Sequence, residues 1–201
     1  MEPPFEIILL SPEQTFPDEA EIVNQLFSSG LSILHVRKPD WSLEQTSRLI
    51  SQIQPQFHTR IVLHNHFELT NKFGLKGIHL NEANQKLIEQ FKQYDIISAS
   101  FHSLHDLKEN TFPYQYVFLS PVFNSISKPG YNGQFDLPTL SKSLTEINPQ
   151  TKVIALGGIN AKNILQIRNA GFSGAAILGT IWQSENPIEA FLQIKATVKT
   201  N

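Results

Sequence analysis

Cysteine is absent from the 201 residues, which excludes disulfides, thiolate metal sites and a thiol nucleophile. Arginine is scarce, four in all, and Arg48 and Arg168 fall on helix-like segments. Charge of one sign is lacking too: a formal net charge of −2 gives no general attraction to nucleic acid or to an anionic membrane. No apolar run approaches the roughly 20 residues needed to span a bilayer. Met1-Glu2-Pro3-Pro4 does not lead from a basic region into a long apolar core, so no export signal and a cytoplasmic location are expected. After the first apolar run, where a doubly wound sheet usually carries its Gly-rich phosphate loop, the chain reads Ser11-Pro12-Glu13-Gln14. Low-complexity tracts and interdomain linkers are missing as well.

What is present is a repeated grammar. Eight short apolar runs start near Phe5, Leu31, Arg60, Gly77, Ile96, Tyr116, Lys152 and Gly174, and helix-like segments separate them. Phe5 to Leu10 is continuously apolar, as in a strand buried on both faces of a parallel sheet. Ser42 with Gln45 forms a capping-box pattern, and Gly30, Gly74 and Gly171 stand where helices should stop. The spacing predicts helices over 82–92, from Asn160 onward, and from Pro187, the last with Ile188, Phe191, Leu192 and Lys195 at helical intervals. Alternation of this kind fits a doubly wound sheet or a closed barrel. Eight units in a 40% hydrophobic chain, with no phosphate loop after the first strand, favour an α/β, single-domain (β/α)8 TIM barrel spanning residues 1–201.

Polar residues gather where the apolar runs end, and in such barrels active sites are built from C-terminal strand ends. Five of the seven histidines (35, 64, 66, 79 and 102) lie there. His64-Asn65-His66 invites a metal reading, but strand ends supply almost none of the carboxylates that a metal hydrolase usually adds. Arg37 is the arginine placed to meet an anionic substrate, by bidentate contact with phosphate; a solvated turn is the plainer alternative for Arg37-Lys38. Gly157-Gly158 and Gly179-Thr180 end the last two runs, where barrels often hold phosphate on backbone N–H groups. The stretch from Ser120 to Phe135 is the longest irregular one and has the length of a functional lid.

Together these segments resemble the thiamine phosphate synthase / TenI family over essentially the whole chain. The resemblance is carried by Leu34-His35-Val36-Arg37-Lys38, Gly77-Ile78-His79-Leu80, Ser98 to Ser103, Ser120 to Gly130, and Ala155-Leu156-Gly157-Gly158-Ile159. It implies a homodimer that takes a thiazole phosphate and, in a synthase, an aminopyrimidine pyrophosphate whose leaving group is stabilised by Mg2+ and basic residues. Arg37 and Lys128 would hold pyrophosphate, with Ser125 and Ser127 where the family has two threonines. Gly157, Gly158, Leu178 and Gly179 would bind the thiazole phosphate, and Ser100 would lie beside the pyrimidine. The family's Mg2+ ligands fall at Asn65 and Asn84, both neutral amides unsuited to replace carboxylates, so the cation is expected only if the chain is a synthase. The lysine two beyond the family's arginine becomes Pro39, with Lys38 as a displaced substitute. These losses point towards the thiazole tautomerase branch, whose catalytic histidine would fall at Pro121; His35, His66 or His102 could take that role if within reach of the proton. A binding or channelling protein without turnover, and a barrel enzyme with unrelated phosphorylated substrates or a histidine-bound metal, stand as alternatives.

Overall fold

The computed structural model describes residues 4–124, 136–147 and 151–199. Eight strands of three to five residues form one closed parallel barrel in sequence order, with the eighth pairing back on the first. The strands are β1 (Glu6–Leu10), β2 (Ile33–Val36), β3 (Ile61–Leu63), β4 (Gly77–Leu80), β5 (Ile97–Phe101), β6 (Tyr116–Leu119), β7 (Lys152–Leu156) and β8 (Gly174–Ile177). Between and after them come α1 (Glu19–Ser28), α2 (Leu43–Gln52), α3 (Leu69–Phe73), α4 (Glu82–Gln85), α5 (Leu104–Glu109), α6 (Leu137–Thr145), α7 (Ile164–Asn169), α8 (Gly179–Trp182) and α9 (Pro187–Lys199). Among the described residues no helix is long and apolar enough to cross a membrane.

Period-two alternation divides the apolar residues into two cores. Leu34, Val36, Ile78, Leu80, Ile97, Ala99 and Phe101 face outward, under the helices. Ile8, Leu10, Ile33, Val62, Tyr116, Phe118, Ile154 and Ala176 face inward and fill the lumen. The same alternation turns His35, His79, Ser98 and Ser100 inward, because each is flanked on its strand by outward-facing apolar residues.

Local signals act as their chemistry dictates. Ser42 and Gln45 form the reciprocal capping box at α2, and Gly30, Gly74 and Gly171 adopt positive φ after helices. Three expectations are corrected. The helix expected over 82–92 breaks into α4 and a 3-10 turn at Ile88–Phe91; neither buries a residue, so no apolar stripe holds one continuous helix against the barrel. Asn160 does not cap α7, which begins four residues later: its Oδ1 accepts from the Lys162 N–H at 2.9 Å, a local turn that competes with capping. In α9 the buried residues are Phe191, Ile194 and Val198, and Leu192 is exposed.

Candidate active site

The C-terminal strand ends open into a cavity of about 270 Å3. One wall is the β7 and β8 loops, with Gly157, Gly158, Leu178, Gly179 and Thr180. The Thr180 hydroxyl donates to the Ile159 carbonyl at 2.6 Å and fastens these two loops together. The short helix α8 starts at this wall, and the N–H groups of a first turn have no partner within their own helix. Gly157 and Gly158 have φ of 111° and 63°. A Cβ on Gly158 would stand 2.2 Å from the Asn124 carbonyl oxygen, so glycine is needed here to seat the β6 loop as well as to expose backbone.

Arg37 and Glu13 also line the cavity and form an ion pair, each about one-third exposed. The next residue, Lys38, points the other way. The Lys38 ammonium is fully buried, donating to Glu19 Oε2 at 2.6 Å and to the Gln14 carbonyl at 2.9 Å, with its charge 4.3 Å from the Trp41 ring centre. Burial pushes the Glu19 carboxyl up and the Lys38 ammonium down, and their contact partly opposes both shifts. Lys38 is an anchor for the loop after β1 and cannot serve as the displaced substitute for the family's lysine.

The remaining face and floor are polar. His64, His79, Asn81, Ser100 and His102 line the cavity. His79 Nδ1 and Nε2 lie 2.8 and 2.7 Å from the Ser98 and Ser100 hydroxyls. His35, wholly buried below, has Nε2 2.7 Å from the Tyr116 hydroxyl and Nδ1 2.9 Å from His64 Nε2. The His64 and His79 rings stack with centroids 4.3 Å apart, and the Phe118 ring packs against the His35 and His79 rings at 4.8 and 4.6 Å. Burial holds all three imidazoles well below their ordinary range, His79 at about 3, so they are neutral near pH 7.

Of the sequence candidates, Arg37, Ser100, His102, Gly157, Gly158, Leu178 and Gly179 come together around this cavity. His102 sits exposed at the mouth, Nδ1 3.2 Å from both oxygens of Ser120. His35 lies beneath the cavity. His66 takes a φ of 52° after β3 has ended, and its Nε2 rests 2.7 Å from the Trp41 carbonyl, outside the cavity lining. Ser125, Ser127 and Lys128, with most of the 120–135 loop, lie outside the described residues. The sequence reading missed the role of His79 and Ser98, although two-residue alternation along β4 and β5 points both into the lumen.

The residues at the positions that the resemblance gives to Mg2+ do not fit that cation. Asn65 donates from Nδ2 to the Lys38 carbonyl at 2.9 Å, and its buried Oδ1 has no hydrogen-bond partner among the described residues. Asn84 lies on α4, its backbone N–H accepted by Asn81 Oδ1. Two neutral amides without a carboxylate offer no charge to offset dehydration of a hard cation.

Comparison with known proteins agrees with this geometry. The family model for thiamine monophosphate synthase (TMP-TENI) matches residues 7–181. A thiamine phosphate pyrophosphorylase from Bacteroides thetaiotaomicron is 34% identical, with 98% of each chain covered and a TM-score of 0.82. Another from Pyrococcus furiosus is 17% identical over 98% of this chain and 96% of that one, with a TM-score of 0.80, which supports the fold alone. With the family model, a relative of matching length and a closed barrel in agreement, the chain belongs to the thiamine monophosphate synthase family.

Proposed function

We propose that the cavity binds a phosphorylated thiazole and that the protein promotes proton transfer on the ring, as in the tautomerase branch of the family. The phosphate would sit against the N–H groups of the β7 and β8 loops, where Gly157, Gly158 and Gly179 allow close approach. Arg37 would supply the charge, exchanging Glu13 for phosphate oxygens. The ring would lie over Ser100 and His79, with His102 as the solvent-accessible base at the mouth. The observation that carries this reading over a synthase is the pair of neutral amides, Asn65 and Asn84, at the Mg2+ positions.

A synthase reading is favoured by the description of the matching family model, thiamine monophosphate synthase, and by the name of the 34% identical relative, a thiamine phosphate pyrophosphorylase. One experiment separates the two. Thiazole phosphate in its non-aromatic carboxylated form is incubated with the protein in EDTA, and aromatisation is followed spectroscopically. In parallel, thiamine phosphate formation from aminopyrimidine pyrophosphate and thiazole phosphate is measured with Mg2+. Turnover in EDTA that His102→Ala abolishes supports proton transfer. Mg2+-dependent thiamine phosphate without EDTA-resistant aromatisation contradicts it and establishes the synthase.

A further inference from the structure

Of the three lumen histidines, the proposed seat for the thiazole ring draws on His79 at the cavity floor and gives no role to the buried His35. Among the described residues, one ring nitrogen from each of His35, His64 and His79 lies within 4.8 Å of the others. We propose that these imidazoles form a three-nitrogen site for a divalent transition-metal ion of the Zn2+ or Co2+ class, with its fourth position open to the cavity.

Two observations converge. The first is placement by three different elements: His35 on β2, His79 on β4 and His64 just beyond β3, adjacent strands whose inward residues must meet in the lumen. The second is the outer partners. Metal-bound histidines usually offer their far nitrogen to a hydrogen-bonding group that fixes the ring. Here the Tyr116 hydroxyl lies 2.7 Å from His35 Nε2 and the Ser98 hydroxyl 2.8 Å from His79 Nδ1. That leaves His35 Nδ1 directed at His64 Nε2, 2.9 Å away, and His79 Nε2 on the cavity side beside Ser100.

To take an ion, the ring nitrogens would have to draw together from the 4.8 Å that now bounds them. Three nitrogens at about 2.0–2.1 Å from a tetrahedral ion stand about 3.4 Å apart. His35 and His64 would part slightly and lose their mutual hydrogen bond, while His79 would turn from Ser100. Ligand chemistry selects the ion, since imidazole suits Zn2+, Co2+, Ni2+ or Cu2+, and Mg2+ demands oxygen. Three imidazoles with an open fourth position are the pattern of reactive Zn2+ sites rather than of closed structural ones. The metal site does not rest on the thiazole phosphate reading, and its test uses no substrate.

Full-length protein without an affinity tag is stripped with chelator and titrated with Co2+. The expected result is the intense visible absorption of four-coordinate Co2+, saturating at one ion per chain and erased by Zn2+. His64→Gln, at the cavity edge, should weaken binding by more than the about 10–100-fold that follows removal of an outer partner, and Ser98→Ala by about 10–100-fold. His66→Gln should leave it unchanged. Far-UV circular dichroism confirms that each variant is folded, and Ser98→Ala decides the matter should His64→Gln fail to fold. Absence of the four-coordinate spectrum in the stripped wild-type protein, or its persistence in His64→Gln, overturns the proposal.

Discussion

The barrel lumen has two unlike sectors. From β6 round to β1 it is lined by Phe118, Ile154, Leu156, Ala176, Ile8 and Leu10, packed side chains with no polar atoms to satisfy. From β2 to β5 its upper part holds His35, His64, His79, Ser98 and Ser100, each joined to another by hydrogen bonds. Tyr116 on β6 joins the sectors through its hydroxyl. The difference separates two tasks that a small barrel must perform in one interior. The apolar sector contributes burial free energy without conditions. Polar groups in the other sector cost desolvation and stay only because each finds a partner; when a ligand or metal replaces a partner, the network can reorganise.

Breaking the apolar sector should have the largest effect. Phe118→Ala removes the ring that covers His35 and His79, and is expected to cost about 3–5 kcal/mol in urea denaturation, with a loss of His64 and His79 order that NMR would detect. A cost under about 1 kcal/mol would mean that the lumen is less tightly packed than these ring distances imply.

Acid should act on the polar sector. The imidazoles of His35 and His79 are held below 6.5 in the folded protein, His79 at about 3, mainly by burial. The unfolded chain therefore binds protons below pH 6.5 that the fold refuses. Stability should be full above that pH and fall as pH drops towards the folded values, by about 1.4 kcal/mol per pH unit for each imidazole. Denaturation in EDTA between pH 7 and 5 measures this slope, and His79→Phe should lower it by about one proton. An unchanged slope in that variant would contradict the burial of a neutral imidazole.

Where the two sectors meet the cavity wall, Gly158→Ala should destabilise by about 1–3 kcal/mol, because its Cβ meets the Asn124 carbonyl. Weaker phosphate affinity in that variant would thus report a displaced loop as well as a blocked site. Arg37→Ala should do the opposite: stability should change by under about 1 kcal/mol, since its pair with Glu13 is partly exposed. Thiazole phosphate affinity should fall about 10-fold or more when no guanidinium meets the phosphate, as calorimetric titration would show.

Much of the architecture was legible in the sequence because strands and caps are local. The apolar runs mark all eight strands to within two residues at their starts, and Ser42 with Gln45 fixes the start of α2. The failures are tertiary. Nothing local tells a reader that residues 82–92 find no apolar surface to cover. At the site, the glycine pairs, Arg37 and Ser100 could be read from their positions at strand ends. The histidine cluster could not be assembled from proximity in sequence: His64 and His66 look like a pair, but the strand stops at Leu63 and the backbone turns His66 away. His35 and His79, 44 positions apart by their numbers, meet because alternation turns both inward and closure brings β2 and β4 across the same lumen. Lys38 shows the same limit, since one residue beyond Arg37 it leaves the cavity for a buried ion pair with Glu19.

The central claim is that ligand seats against the polar sector at the barrel mouth. The most direct test is a 15N spectrum of histidine-labelled protein in EDTA, with resonances assigned from single His→Gln variants, recorded before and after saturation with thiazole phosphate. The account predicts that the ring signals of His64, His79 and His102 move together while those of His58 and His105, away from the cavity, stay in place. Calorimetric binding with all three cavity signals unmoved, or shifts confined to His66, His58 or His105, would contradict it.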